Sequence, residues 1–346
     1  MKVAFFAYPS SFQNKGGGEI LLEKTEEYLR KKGVTVKRFD MWNDKLDDFD
    51  VLHIFGSVKE CLGLMKTARA KGVKVALASI FWSDFCRAFY EEGPPAKKAE
   101  MVIRHAMKIV FPFFPSPRRS MFRTADIVFP NSEGEARQIS RLFSIPIEKM
   151  FVVPNGVDRK YADGSSGLFL EKYGLKDFVL SVGRIEPRKN QLNLIRAMKG
   201  VDRDLVLIGE PVSGYEWYYD KCLKEAGENV RFLGHMPNDS ELLMSAYASC
   251  EVFVLPGWFE TPGLAALEAA LAGAKIVATR GGSTKEYFND MVLYIRPNAP
   301  EDMRLNIKKA LGEDKTDKLK RFVLDYYTWE KVAEKNIEGY KTVMGK

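Results

Sequence analysis

Short apolar runs alternating with helix-length stretches constrain this chain more than any other feature. In the first half the runs occupy residues 3–7, 34–38, 51–55, 73–78 and 127–130. In the second half they occupy 178–183, 205–209, 230–234, 250–256 and 275–279. A short run of apolar residues stopped by Gly or Pro reads as a strand buried on both faces. Strands separated by helices pair in parallel, and such sheets bind their ligands beyond the C-terminal ends of the strands. The 346 residues are enough for two domains of ordinary size. The expected fold class is therefore α/β, with one parallel sheet in each half.

The loops that follow these strands carry the chemistry. After the run ending at Pro256 come Glu260 and Glu268, separated by seven residues that include Pro262 and Gly263. Leu264, Leu267, Ala270 and Leu271 then fall at helical spacing, and Gly273 closes the helix. Glu260 thus belongs to the strand-to-helix loop, whereas Glu268 lies about one turn into the helix. The unpaired N–H groups of a helix start favour an anion, and Gly263 lets a phosphate come close to the backbone. A carboxylate on each side suits a ligand with hydroxyls at both ends of a diphosphate, which describes a nucleotide sugar. Taken alone, two glutamates are more often a loop charge and an ordinary helix residue.

Other loops add to the pattern. Gly183 ends a strand, and Arg184 and Lys189 lie between it and a helix marked by Leu192, Leu194, Ile195 and Met198. Two cations there can clamp a diphosphate and stabilise a negative leaving group, although a basic surface loop has the same composition. Gly16, Gly17 and Gly18 precede Glu19 where the first helix opens, and a flexible loop explains them equally well. Phe232, Gly234, His235, Met236 and Pro237 form a further turn, in which a structural role for His235 is favoured over catalysis.

Composition excludes several classes. Apolar residues make up 46% and charged residues 29%, which indicates a soluble globular chain. No apolar run reaches the length of a membrane span, and residues 1–7 read as a first strand rather than a signal peptide. Cys61, Cys86, Cys222 and Cys250 are scattered without metal-ligand spacing, which points to reduced thiols in a cytoplasmic protein. No Asp-x-Asp in a candidate loop and no histidine cluster suggest a metal.

The net charge of +7 lies entirely in residues 1–155, which hold 25 Lys and Arg against 18 Asp and Glu. A solvated basic face explains this, as does an anionic acceptor or membrane surface. Residues 80–123 interleave Phe81, Trp82, Phe85, Phe89, Tyr90, Phe111, Phe113 and Phe114 with arginines and lysines. Val102, Ile103, Ala106 and Val110 have helical spacing and are expected in the core. The remainder suits an amphipathic patch able to lie on anionic lipid, at the inner face of the membrane, or to grip a phosphate. No nucleic-acid motif accompanies the charge.

In order and spacing, Gly16 to Glu19, Asn131, Asn155 to Asp158, Gly183-Arg184 with Lys189, Phe232 to Gly234, Glu260 with Glu268, and Gly281-Gly282 with Glu286 resemble the retaining glycosyltransferases of family 4. The resemblance runs from Gly16 to about Tyr340. It implies two facing Rossmann-like domains (GT-B) with the active site in the interdomain cleft. Residues 1–158 would form the acceptor-side domain and 168–328 the nucleotide-sugar domain. A linker at 159–167 would join them, and a last helix at about 329–346 would pack back on the first. The implied activity is transfer of a sugar from a UDP- or GDP-sugar to a glycan or lipid-linked acceptor, with no tightly bound cofactor and no metal.

Carried over by residue, Glu268 would hold the ribose hydroxyls, and the N–H groups of Gly263 and Leu264, with Arg184 and Lys189, the diphosphate. Glu260 would face the sugar. Gly16, Gly17, Gly183, His235, Met236 and Pro262 would line the donor site. Many family members carry a cleft histidine after the strand corresponding to 73–78. This chain has Ser79, Ile80, Phe81 and Trp82 there, followed by Asp84, so Phe81, Trp82 and Asp84 are the acceptor-side candidates. Alternatives on the same fold are a non-catalytic nucleotide-sugar-binding or regulatory protein, an epimerase and a phosphorylase.

Overall fold

A computed structural model describes residues 1–14 and 16–345. It divides into two compact units. The first comprises residues 1–83, 104–156 and 327–346, and the second comprises 84–103 and 157–326. Residues 84–103, read above as part of the first half, thus cluster with the second unit.

The first unit is built on β1 (Lys2–Ala7), β2 (Thr35–Arg38), β3 (Val51–Phe55), β4 (Lys74–Ala78) and β5 (Ile127–Phe129), in the order β2-β1-β3-β4-β5. Every pairing is parallel. β3 is buried along its whole length, as its unbroken apolar run requires. Its one polar member, His53, stacks on Phe55 at 4.2 Å, and its Nδ1 lies 2.6 Å from the Tyr340 hydroxyl. Burial holds the imidazole neutral, with its pKa pushed down to about 3. Tyr340 belongs to the last helix, Trp329–Met344, which turns Trp329, Val332, Ala333, Asn336, Gly339 and Tyr340 inward. Thr328 stands at its N-cap position, but its side chain makes no capping bond.

The second unit is built on β6 (Phe178–Val182), β7 (Leu205–Ile208), β8 (Val230–Phe232), β9 (Cys250–Leu255), β10 (Lys275–Thr279) and β11 (Leu293–Ile295). Their order is β11-β10-β9-β6-β7-β8, again with parallel pairing throughout. Chain order reverses between the neighbours β6 and β9, which makes their C-terminal ends the switch point where ligands of such sheets bind. Strand β11, three residues followed directly by Arg296, is not among the runs read from the sequence.

The expected linker is ordered. A short helix, Arg159–Asp163, buries Tyr161, and the helix Gly167–Tyr173 buries Phe169. Cys61, Cys222 and Cys250 are buried free thiols, whereas the side chain of Cys86 lies outside the described residues.

The expected core face of the helix Pro95–Val110 is a correction. None of its described side chains is buried, and Ile103 and Val110 are 61% and 64% exposed. Helical spacing makes an apolar stripe but does not supply a partner to cover it.

Candidate functional site

The loops leaving β6 and β9 meet at the switch point of the second sheet, and hydrogen bonds stitch them together. Asn190, in the left-handed conformation at φ 60°, donates from Nδ2 to the carbonyls of Pro256 (2.9 Å) and Pro297 (2.8 Å). Trp258 donates its backbone N–H to the Arg188 carbonyl (3.0 Å) and its indole N–H to that of Pro187 (3.1 Å). These bonds fix the positions of the charged side chains between them.

Lys189 Nζ lies 2.7 Å from Glu260 Oε1, with Arg188 Nη1 3.9 Å from the same oxygen. Glu186 anchors the other cations, at 3.1 Å from Arg188 and 3.5 Å from Arg184. Three cations thus share two carboxylates, an excess of one positive charge suited to an anionic ligand. Burial lowers the Lys189 pKa, and the Glu260 carboxylate opposes that shift. Arg184 is 44% exposed and Lys189 only 20%, so the two differ in setting although the sequence suggests solvent for both.

Glycines shape the rim. A Cβ at Gly209 would lie 2.1 Å from the Gly183 carbonyl oxygen, and both residues have positive φ. The loop after β10 packs on Glu260 in the same manner. Glu260 donates its N–H to Gly281, and Ser283 donates to the Glu260 carbonyl (2.9 Å). A Cβ at Gly282 would sit 1.9 Å from that carbonyl oxygen. Gly281 and Gly282 therefore permit a close backbone approach that holds Glu260. Gly263, at φ 91°, caps the helix Leu264–Leu271 beside the buried Pro262, and a Cβ there would meet Leu255 at 2.7 Å.

Glu268 belongs to a different cluster from Glu260. Its Oε2 accepts from the Tyr247 hydroxyl (2.7 Å) and its Oε1 from Asn238 Nδ2 (2.9 Å), while Tyr161 donates to Asn238's carbonyl. Burial raises its pKa to about 7, partly offset by these bonds. Asn238 lies in the loop after β8, two residues beyond the buried Met236 and three beyond the exposed His235.

The segment 84–103 packs against this unit. Tyr90 stacks over Trp258 at 6.3 Å, and Arg87 lies over the ring of Phe259 at 5.8 Å. Glu92 pairs with Lys221 (3.0 Å) and Arg196 (3.6 Å). Two aromatic neighbours of Glu260 are thereby covered from a distant part of the chain.

In the first unit, Gly16 caps the helix Gly17–Lys31, and its N–H is taken by the Glu19 carboxylate at 2.8 Å. Gly17 is exposed. Of the acceptor-side candidates, Phe81 is core, edge-on to Phe122 and Phe143, and Trp82 is half-buried. Asp84, in the second unit, caps the helix Phe85–Tyr90 by accepting from the Arg87 N–H. The loop after β4 is pinned by the fully buried Glu135, which accepts from the Ser79 hydroxyl (2.5 Å) and the Phe81 N–H (2.6 Å). Among the described residues no cluster of His, Cys, Asp or Glu could hold a metal ion.

Sequence reasoning missed Arg188, Asn190, Trp258, Asn238, Tyr161 and Tyr247. Asn190 before a helix is a readable turn signal. The others acquire their roles only from contacts between distant residues.

Residues 169–323 match the family described as glycosyl transferases group 1. The chain is 26% identical over 234 residues to O-antigen chain mannosyltransferase B of Escherichia coli, covering 63% of this chain and 61% of that protein. It is 31% identical over 206 residues to the N-acetylgalactosamine-N,N'-diacetylbacillosaminyl-diphospho-undecaprenol 4-alpha-N-acetylgalactosaminyltransferase of Campylobacter jejuni, covering 57% and 54%. The chain thus spans less than two thirds of these relatives. Among solved structures, sucrose-phosphate synthase of Thermosynechococcus elongatus superposes with a TM-score of 0.77 at 18% identity, covering 99% of each chain. Anabaena HepE, solved with UDP and glucose, gives a TM-score of 0.71 at 14% identity, covering 97% of this chain and 98% of that one. The fold is GT-B, with two Rossmann-like domains.

Proposed function

We propose that this chain is a retaining glycosyltransferase of family 4 that moves a sugar from a UDP- or GDP-sugar to a glycan or lipid-linked acceptor. The observation that carries this reading is the stitched pair of loops at the β6–β9 switch point, which holds Arg184, Arg188 and Lys189 around Glu260. Donor binding is assigned to residues 168–328, and acceptor binding to residues 1–158 with the last helix. The names of the relatives support glycosyl transfer and, in the Campylobacter protein, a diphospho-undecaprenol acceptor. The HepE complex supports a uridine nucleotide donor.

In this reading Arg184, Lys189 and the N–H groups of Gly263 and Leu264 take the diphosphate, and Glu268 takes the ribose hydroxyls. Gly183, His235, Met236 and Pro262 line the donor pocket, while Gly16 and Gly17 offer bare backbone to donor phosphate or acceptor. Glu260 faces the sugar. The bond from the anomeric carbon to the diphosphate breaks as an acceptor oxygen bonds that carbon on the same face, and the acceptor proton passes to the leaving phosphate oxygen. The cations stabilise charge that grows on the leaving group, and so favour the transition state over the bound donor. The burial of Phe81 and the capping role of Asp84 weigh against direct acceptor contact by those two side chains. Among the described residues no helix is long and apolar enough to cross a membrane. The site of action we propose is the cytoplasm, at the inner face of the cell membrane.

Thermal-shift screening with UDP, GDP and their sugars tests the donor site, because a ligand selective for the folded state raises its stability. Stabilisation by one nucleotide sugar, followed by transfer to an acceptor with retained configuration, is expected. No stabilisation by any of them overturns the reading. Binding without turnover identifies a regulatory protein, donor conversion without acceptor an epimerase, and phosphate-dependent release of sugar a phosphorylase.

A further inference from the structure

The first unit holds a groove of about 460 Å³, a volume typical of small-molecule sites. Its walls come from the loop after β3, the C-terminal part of the helix Pro95–Val110, and the start of the helix Pro117–Thr124. Lys59, Arg104, Lys108 and Arg118 line it, and no aspartate or glutamate does. Apolar wall is supplied by Met107, Phe111 and Phe114.

Two of these cations sit in a setting that favours an anion. Lys108 and Arg118 both lie over the ring of Phe81, at 5.6 Å and 5.3 Å, and Arg118 Nε donates to Ser57 Oγ at 3.0 Å. Neither makes an ion pair among the described residues. Burial and the neighbouring Arg118 and Arg104 push the Lys108 pKa down to about 8. Like charges gathered where water is partly excluded cost free energy that a bound anion would recover. From the groove an apolar surface continues outward, with Phe113 and Phe114 69% and 63% exposed and Val110 and Phe111 also exposed. Contiguous exposed aromatics beside long cations suit the headgroup region of a bilayer.

We propose that this groove binds the phosphate headgroup of a membrane lipid, with Lys108 and Arg118 on the phosphate and the 110–114 surface on the apolar chain. Resting on the glycosyltransferase reading, the groove is where a lipid-linked acceptor is held. The arrangement explains why the apolar stripe of the helix Pro95–Val110 is left uncovered. A charge-only surface would need no apolar wall, and a purely apolar groove would not gather cations.

Flotation of the full chain with phosphatidylcholine vesicles tests this, using vesicles plain or containing phosphatidylserine or phosphatidic acid at matched surface charge. Retention is expected on phosphatidic acid above phosphatidylserine, with about a tenfold loss of affinity in Lys108→Gln/Arg118→Gln. The separate variant Phe113→Ser/Phe114→Ser, at exposed positions that do not threaten folding, is expected to lose retention as well. Equal retention on both anionic lipids, indifference to both variants, or absence of retention overturns the proposal. So does inorganic phosphate binding as tightly as the lipid. Stabilisation by UDP or GDP, measured on the same variants, reports the donor site separately. Loss of that response in the parent chain counts against the glycosyltransferase reading and leaves the groove standing.

Discussion

Lys189 Nζ and Glu260 Oε1 approach to 2.7 Å although the two residues are 71 positions apart, and both side chains are largely shielded from solvent. This pair changes what the two clamp cations should do when removed. Arg184 is more exposed and its guanidinium pairs with Glu186 at 3.5 Å, so Arg184→Ala is expected to cut turnover without lowering the unfolding midpoint. Lys189→Ala is expected to lower both, because it leaves the buried Glu260 with the more distant Arg188, at 3.9 Å, as its remaining cation among the described residues. The loss of turnover in each is expected at about 2.7–4 kcal/mol of barrier. Steady-state kinetics alongside urea denaturation checks this, and equal stability losses in both variants would show the pair to be unimportant.

Glu268 should make nucleotide binding depend on pH near neutrality. Its folded pKa is raised from 4.5 to about 7, so it gains its full negative charge only above that value. In the proposed role it would accept ribose hydroxyls best as a carboxylate, so affinity for the nucleotide should rise as pH increases through about 7. Stability should move the other way, since a raised carboxyl pKa makes the folded state lose ground between about 4.5 and 7. Glu268→Gln should flatten both dependences. Calorimetric titration and melting curves at several pH values provide the measurement.

His53 carries the opposite sign. Its pKa falls from 6.5 to about 3 in the folded chain, so its contribution is complete above 6.5 and is lost as pH drops towards 3. The double variant His53→Leu/Tyr340→Phe removes the hydrogen bond from both sides, which is close to neutral in cost at pH 8. It should retain more of its stability than the parent chain in acid. A midpoint that falls equally in both would assign the acid sensitivity elsewhere.

Gly339 lies in the last helix where an added Cβ would come within 2.5 Å of the Phe129 ring. Gly339→Ala should therefore cost about 1–3 kcal/mol by overpacking, despite alanine's better helix propensity. Gly312→Ala, with open space around it, serves as the neutral or stabilising control. Denaturant midpoints of the two variants should move in opposite directions or differ clearly.

Transfer, once an acceptor is in hand, should survive EDTA. Arg184, Arg188 and Lys189 with the helix start at Gly263 supply the positive charge that a divalent ion would otherwise bring. Abolition by chelation and rescue by magnesium or manganese would contradict this.

The strands were legible because buried parallel strands impose continuous apolar runs, and ten of the eleven among the described residues overlap the stretches read from sequence. The loops after β6 and β9 were legible as Gly, Pro and charge at strand ends. What joins them was not. Trp258 reaching Pro187 and Tyr247 reaching Glu268 depend on strand order, which no local pattern encodes. Phe81 and Ile103 show the same limit from two sides. One aromatic expected at an acceptor surface is buried, and one aliphatic expected in the core is exposed, because periodicity describes a face and not what lies against it.

The stacking of Tyr90 on Trp258 has a bearing on how the second unit could be exchanged between chains of this architecture. A chimaera spliced only at residues 159–167 would transplant the second half without the stretch that covers its own Trp258 and Phe259. The graft would then carry a mismatched cover next to Glu260, and its failure would be mistaken for incompatibility of the halves. Two splice blocks, 84–103 and 157–326, make this compact unit discontinuous in sequence.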